Sequence, residues 1–509
     1  MEPIGTVMNF YPFLSQKTRE IVESTLKDAE GFDDFVEKLV NLILDQEEAN
    51  DLSYLTTILA YNSINPVIFN KLRPHLLDDV ILKPWSFYLY DGPPDEYEQG
   101  VSLAIDKALE HIAEDWVRLF LLIIGAHFYL PRIKRPTFID EATKLVENQP
   151  DLECFSTEIY IRSGWYARGS ADIAGAMKLF EKAIKISSHY DDVIGKCDAQ
   201  VDFARCLMET DAFKALSLLE EAYQTSKSWG ANHWASVEAR NMGLLHSIVG
   251  EYDLAVEFYL EAERITEPSW IDKRTDAIEI SRIYCDIDLP NEAFEWTKKI
   301  MDWDELTPTI IKQLPISKLD PDPVPDPHLS LAIARTVIQL GQLDGVPQLL
   351  SEIYKIVLGR GEDYTLASYN FVSGLFEIAI GNLDAGLQNM SDALSEVKRI
   401  PLEFQVNSIL LALAKAEVQN LERLERSRLV ESSGQWMTQL GIHAREKNYP
   451  GIMMQHALLK AKYQEMIGET EAAQLTLRDA LTFTDSPGVK TLRKRIQDRL
   501  QELETSVDA

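Results

Sequence analysis

Basic residues are scarce in this chain of 509 residues: 50 Lys and Arg stand against 81 Asp and Glu, for a formal net charge of −31 and a pI near 4.7. Nucleic acids and anionic lipid surfaces are gripped by Lys and Arg that displace counterions, so this deficit argues against both as partners. Cysteine is scarcer still. Cys154, Cys197, Cys206 and Cys285 lie apart with no Cys-x-x-Cys pair, which points to neither a zinc site nor a disulfide framework and fits buried thiols in a reducing compartment. Long apolar runs are missing too, since the most apolar segment, Trp116 to Leu130, carries Arg118 and His127 and is too short to span a bilayer. The segment Met1–Leu14 has no basic n-region and no small-residue cleavage site, and the expected location is cytoplasmic.

Recognisable catalytic chemistry is equally sparse. No Gly-x-x-x-x-Gly-Lys-Ser/Thr occurs, and Gly359-Arg360-Gly361 has no strand signal before it, so a loop accounts for it. The histidines do not cluster: His443-Ala-Arg-Glu446 lacks the second histidine at i+4 that a helical zinc site needs, and His246 reads as a packed core histidine. The acid pairs Asp33-Asp34 and Asp191-Asp192 fall at apparent helix starts, where capping explains them. With no nucleophile, base and orienting group in view, the expectation is a protein that is not an enzyme and holds no cofactor and no metal.

What the chain does have is a soluble composition, 46% hydrophobic and 26% charged, and an internal repeat. Met242-Gly243-x-x-His246-x-x-x-Gly250-x-x-Asp253-x-Ala255-x-x-x-Tyr259-x-x-Ala262 recurs roughly every forty residues. Its second half reappears from Ala176 through Phe180 to Ala183, from Ala215 through Leu219 to Ala222, and from Ala293 through Thr297 to Ile300. It continues from Val346 to Ile353, from Gly386 through Met390 to Ala393, and from Ala473 to Ala480, with a degenerate unit between the last two whose helices are expected around Phe404–Asn420 and Leu424–Leu440. Gly250, Gly341, Gly381 and Gly468 each stand five residues before the opening position, where a helix must stop and reverse. Small residues at fixed places let antiparallel helices approach, while Phe180, Tyr259 or Met390 fills the space between pairs.

This spacing resembles that of the tetratricopeptide (TPR) repeat superfamily, and the unit length resembles the MalT-like superhelix branch within it. The resemblance implies an all-α, right-handed α-α superhelix, a TPR-like solenoid whose pairs bury one another's apolar faces. It also implies a non-catalytic scaffold or adaptor that holds a partner in its concave groove. A regulatory module sensing a small ligand or signalling peptide is the second reading, and an enzyme the third. Some MalT-like arms belong to nucleotide-switched activators, but without a P-loop of that form the arm does not bring the ATPase with it.

The repeat frame divides the chain into an N-terminal helical region with degenerate repeats (1–150), a regular block (151–305), a connector (306–330), a second block (331–487) and a capping helix with tail (488–509). The connector carries Pro308, Pro315, Pro321, Pro323, Pro325 and Pro327 among Asp320, Asp322 and Asp326, a composition that cannot form a helix. An aromatic-rich loop, Trp85 to Tyr90 followed by Gly92-Pro93-Pro94, interrupts the first region.

One arrangement stands out in so acidic a chain. The frame puts Arg162, Arg168, Arg240, Asn241, Arg282 and Arg335 on groove-facing positions of first helices, where arginine forks match carboxylates and an Asn can clamp a peptide backbone. The expected partner is a protein or peptide, with acidic groups docking in the groove or a basic partner on the acidic exterior. The alternative is local pairing, Glu158 with Arg162 and Glu279 with Arg282. In the intervening repeat the frame offers Gln200 and Ala204, so the family's carboxylate clamp is incomplete. Trp165, Trp229, Trp234, Trp270 and Trp296 serve either repeat packing or a peptide-binding floor.

Overall fold

The computed structural model describes residues 5–43, 51–63, 105–128 except 107, 111 and 113, 135–170, 172–208, 210–266, 270–300, 327–360, 363–399, 403–421 and 434–507. Of the connector expected over 306–330, residues 306–326 lie outside these residues, whereas Pro327–Ser330 open an α-helix instead, proline being tolerated in a first turn; the aromatic loop at 85–94, Gly361 and the part of the degenerate repeat at 422–433 also lie outside. Among the described residues there are 23 α-helices and no strands, the all-α helical-repeat class that the pattern predicts. The chain divides into two compact units, Met1–Asn241 and Met242–Ala509.

The first unit begins with α1 (Gly5–Met8), α2 (Gln16–Asp28), α3 (Phe32–Ile43) and α4 (Asp51–Ser63), followed by α5 (Asp115–Phe128) and α6 (Arg135–Asn148). Ser15 caps α2, and the break between α2 and α3 falls before Phe32. At that break Gly31 meets Gly230 so closely that a Cβ on either would lie 2.9 Å from the other's Cα, and the Phe32 amide donates to the Trp229 carbonyl at 2.7 Å. These early helices share one apolar core with the first repeats. Phe10 packs on Trp116 and Phe155, with centroids 5.7 and 5.0 Å apart, and Trp234 joins the same cluster.

The repeats proper follow as α7 (Ser156–Gly169), α8 (Ile173–His189), α9 (Val193–Leu207), α10 (Ala212–Ser228) and α11 (Asn232–Val249). Asp172, Asp192 and Asp211 cap α8, α9 and α10 by accepting the amides of Gly175, Gly195 and Lys214, which satisfies donors that a helix start leaves bare. Of the early acid pairs, Asp34 likewise accepts the Glu30 amide at 2.8 Å.

The second unit contains α12 (Tyr252–Ile265), α13 (Trp270–Asp286), α14 (Pro290–Ile300), α15 (Pro327–Gln339), α16 (Val346–Arg360), α17 (Asp363–Ala379) and α18 (Leu383–Val397). It ends with α19 (Glu403–Leu421), α20 (Gln435–Glu446), α21 (Pro450–Met466), α22 (Thr470–Ala480) and α23 (Lys490–Val507). The degenerate repeat's first helix, expected over Phe404–Asn420, is α19.

The pairing rule of the repeat is visible in the packing. A Cβ added to Gly164 or Gly374 on a first helix would collide with Phe180 or Met390 on the second, one added to Gly243 would press on Tyr259 at 3.0 Å, and those three side chains are buried. Helices close by a six-residue loop-back: Gly250, at φ +82°, lets the Glu251 amide reach the His246 carbonyl at 2.8 Å. Asp288 does the same work at φ +58° without being glycine, sending the Leu289 amide to the Tyr284 carbonyl at 2.9 Å.

Within the second unit the late helices return to the early ones. Gly451 on α21 touches the Gly250 backbone with no room for a Cβ, Gln455 donates to the Tyr252 hydroxyl at 2.9 Å, and Thr491 on α23 bonds both carboxylate oxygens of Asp253. The end of the unit thus packs against its beginning.

Candidate functional site

The arginines singled out by the repeat frame fall in both units, and each unit treats its own set differently. In the first, Arg162 is 5% exposed, donates to Glu158 at 2.9 Å and lies 4.1 Å over the Trp165 ring. Trp165 in turn donates its indole N–H to Asp202 on α9. Arg168 is 35% exposed and reaches the same Asp202 at 3.4 Å, while Arg205, 38% exposed, reaches it from the other side at 3.2 Å. Arg205 continues to Asn241 on α11, whose Oδ1 accepts from Nε at 3.2 Å and whose amide donates to the Val237 carbonyl at 2.8 Å. Three consecutive first helices thus present Arg168, Arg205 and Asn241 as one face. Arg240, beside it, bonds Ser236 at 2.9 Å.

Arg205 is not among the residues that the frame selects, because the frame aligns Gln200 and Ala204 to that repeat. The signal is nevertheless present: Arg168, Arg205 and Asn241 recur about one repeat apart on α7, α9 and α11. Asp202 escapes sequence reasoning for a different reason, since nothing in the local pattern says that an acid will be buried beneath two arginines.

Beneath this face lie further acids. Asp198, one turn before Asp202, has its carboxyl pushed well above the usual range by burial and by the neighbouring Asp202. Glu238, fully buried on α11, is pushed up to about 8 by burial, although Ser226 donates to it at 2.9 Å. Burial thus works against the charged form of both carboxyls.

In the second unit the selected residues converge. Arg335 on α15 donates to Asp286 Oδ1 at 2.5 Å, and Arg282 approaches Oδ2 at 3.4 Å while forking onto Glu279 at 2.7 and 3.0 Å. Burial works against the charge on Arg282, and Glu279 with Asp286 outweighs it. Ser408 on α19 donates to Asp286 Oδ2 at 2.7 Å, and Lys415, two turns later, takes the Asp286 carbonyl at 2.8 Å and Asp288 at 2.6 Å. Arg495 on α23 completes the cluster at Asp288, 3.1 Å away. Neither Asp286 nor Lys415 is selected by the repeat frame, because their partners lie on distant helices.

The local pairs Glu158–Arg162 and Glu279–Arg282 are both made. His246 is packed as expected, stacked on Phe258 at 5.2 Å with Nδ1 2.7 Å from Glu251. Cys154 and Cys197 are buried, and burial pushes their thiols up to about 12, so they are poor nucleophiles. Among the described residues no group of three or more His, Cys, Asp or Glu is placed to hold a metal ion, and no helix is long and apolar enough to cross a membrane.

Two adjoining cavities open inside the second unit. One, of about 520 Å³, is walled by α19, α21 and α23; the other, of about 400 Å³, by α13, α15, α17 and α19. Asp288, Leu411, Lys415 and Gln419 line both. Carboxylates and cations alternate around them, including Asp286, Arg335, Arg495 and Glu502, over an aliphatic floor from α19. Neither is a closed apolar pocket, and neither is a purely basic channel.

No protein-family model matches the chain, and no curated protein matches it. Among solved structures, the apo form of RapI is similar at 15% identity and a TM-score of 0.42, over 55% of this chain and 99% of that one. The class is set by the fold itself: among the described residues, an all-α array of successive helix pairs.

Proposed function

We propose that this protein is a non-catalytic scaffold that holds an acidic segment of a partner protein on the face formed by Arg168, Arg205 and Asn241. The supporting observation is that two half-exposed arginines share one carboxylate oxygen of Asp202, so the face keeps guanidinium donors that Asp202 does not take up. This matters in a chain whose net charge is −31, because an acidic partner repelled elsewhere gains at this face. Arg162 and Arg240 shape the face from behind, through Trp165 and Ser236, while Arg282 and Arg335 belong to the interior of the second unit.

The unit length of about forty residues keeps the resemblance to the MalT-like branch within this reading. Nucleic acid and membrane are not proposed as partners, on the charge argument.

The test is fluorescence anisotropy of the full chain with a labelled Asp/Glu-rich peptide at low and high salt. Binding should weaken with salt. Arg168→Glu with Arg205→Glu should reduce it at least about tenfold, the scale expected when charge-assisted hydrogen bonds to a carboxylate are removed. Equal binding by wild type and the double variant would sink the proposal.

A further inference from the structure

The 520 Å³ cavity of the second unit has the volume of a small-molecule site. Its floor is aliphatic, made by Leu411 and Val418 on α19 with Leu458 and Leu459 on α21. Its charged wall is α23, which lays Arg495 and Asp498 along the cavity, followed by Arg499 and Glu502.

The charges of α23 are not spent alike. Glu502 takes Arg499 at 2.6 Å, Glu504 takes Arg478 at 2.7 Å, and Arg499 forks onto Glu465 as well. Asp498 is the exception: exposed on the cavity wall, its carboxylate makes no hydrogen bond or ion pair. Residues three apart on a helix are surface neighbours, so Arg495 is placed to pair with it. Arg495 turns elsewhere, giving Nη1 to the Ile287 carbonyl at 2.7 Å and Nη2 to Asp288 at 3.1 Å.

Arg495 nevertheless keeps donors. A guanidinium has five N–H groups, the side chain is 37% exposed, and none of its nitrogens is an unpartnered atom shielded from water. Lys415 on α19 shares Asp288 with it at 2.6 Å, so one carboxylate there serves two cations. The cavity thus holds a cation and an anion side by side, both open to solvent and neither used up by the other, over an apolar floor. The small molecule that answers all three features is a dipolar ion whose carboxylate and ammonium sit on one carbon, with an apolar group attached.

We propose that this cavity binds a free α-amino acid with an aliphatic side chain. The ligand's carboxylate accepts from Arg495, and its ammonium donates to Asp498. Its side chain lies on Leu411, Leu458 and Leu459. Asp288 and the Ile287 carbonyl hold the guanidinium in place from behind. The site lies wholly within the second unit and does not depend on the arginine face of the first.

The experiment is calorimetric titration of the full chain with L-leucine, with N-acetyl-L-leucine, which lacks the ammonium, with L-leucinamide, which lacks the carboxylate, and with glycine. Leucine should bind, and the two blocked forms should bind about fivefold more weakly, the scale of one half-exposed ion pair. Glycine should bind at least about tenfold more weakly, having no side chain for the floor. Asp498→Asn removes no contact within the protein, so the fold is kept; it should lower the affinity for leucine about fivefold and leave that for N-acetyl-L-leucine unchanged. The proposal is overturned if leucine gives no binding heat at millimolar concentration, if either blocked form or glycine binds as well as leucine, or if Asp498→Asn binds leucine as the wild type does. Because Arg168→Glu with Arg205→Glu should leave these titrations unchanged, failure here is separable from failure of the partner-binding reading.

Discussion

Arg335 and Asp286, 49 residues apart in sequence, form an ion pair at 2.5 Å with side chains only 7% and 2% exposed. Buried pairs are costly to desolvate and costlier to break, because removing one partner strands the other. Asp286→Ala should therefore cost about 3–5 kcal/mol, with Arg282 and Arg335 left facing one another. Asp286→Leu combined with Arg335→Met should cost less than either single change. Denaturant unfolding followed by a probe in the second unit checks both, and a double variant worse than the sum of the singles would contradict the assignment.

Gly451 and Gly169 make a matched pair of opposite sign. A Cβ on Gly451 would sit inside the Gly250 carbonyl, backbone against backbone, whereas one on Gly169 meets nothing within 4 Å. Gly451→Ala should destabilise the second unit by more than about 2 kcal/mol, in the range of forced overpacking. Gly169→Ala, on a helix with ordinary φ, should stabilise the first by about 0.5–1 kcal/mol. Thermal and denaturant melts of the two variants decide it.

Glu238 makes the first unit sensitive to pH. Its carboxyl titrates at about 8 when folded against a reference of 4.5, so the folded state holds a proton that the unfolded state releases. Its contribution to stability is greatest below about 4.5, falls as pH rises toward 8 with a limiting slope of about 1.4 kcal/mol per unit, and flattens above 8. Asp198, raised in the same direction, adds to the decline. Glu238→Gln should remove much of the slope and stabilise the unit most at alkaline pH, as read from denaturation curves between pH 5 and 9.

Asp288 combines a left-handed backbone with two ion pairs, to Lys415 and Arg495. Burial alone would raise its carboxyl; Lys415 and Arg495 bring it below the usual range. Asn tolerates this backbone region and Ala does not, so Asp288→Ala should cost about 1 kcal/mol more than Asp288→Asn. The smaller effect of Asp288→Asn reports half-exposed charges and should shrink in high salt, as denaturant melts at two ionic strengths would show.

The residues themselves determined a great deal. Recurring Ala-x-x-x-aromatic-x-x-Ala, with glycine five residues upstream, dictated helix pairs, because only small side chains let the helices meet and only a left-handed residue lets them turn; Gly243 against Tyr259 and Gly250 at φ +82° carry that logic out. The pairings of Glu158 with Arg162 and Glu279 with Arg282 were equally legible, being one turn apart. What only the tertiary structure decided is where long-range charges meet. Arg205 sharing Asp202 with Arg168, and Asp286 gathering Arg335 and Ser408 while Lys415 takes its carbonyl, depend on how helices far apart in sequence pack within each unit. That packing is set by side chains from several helix pairs at once, and no single repeat's sequence contains it.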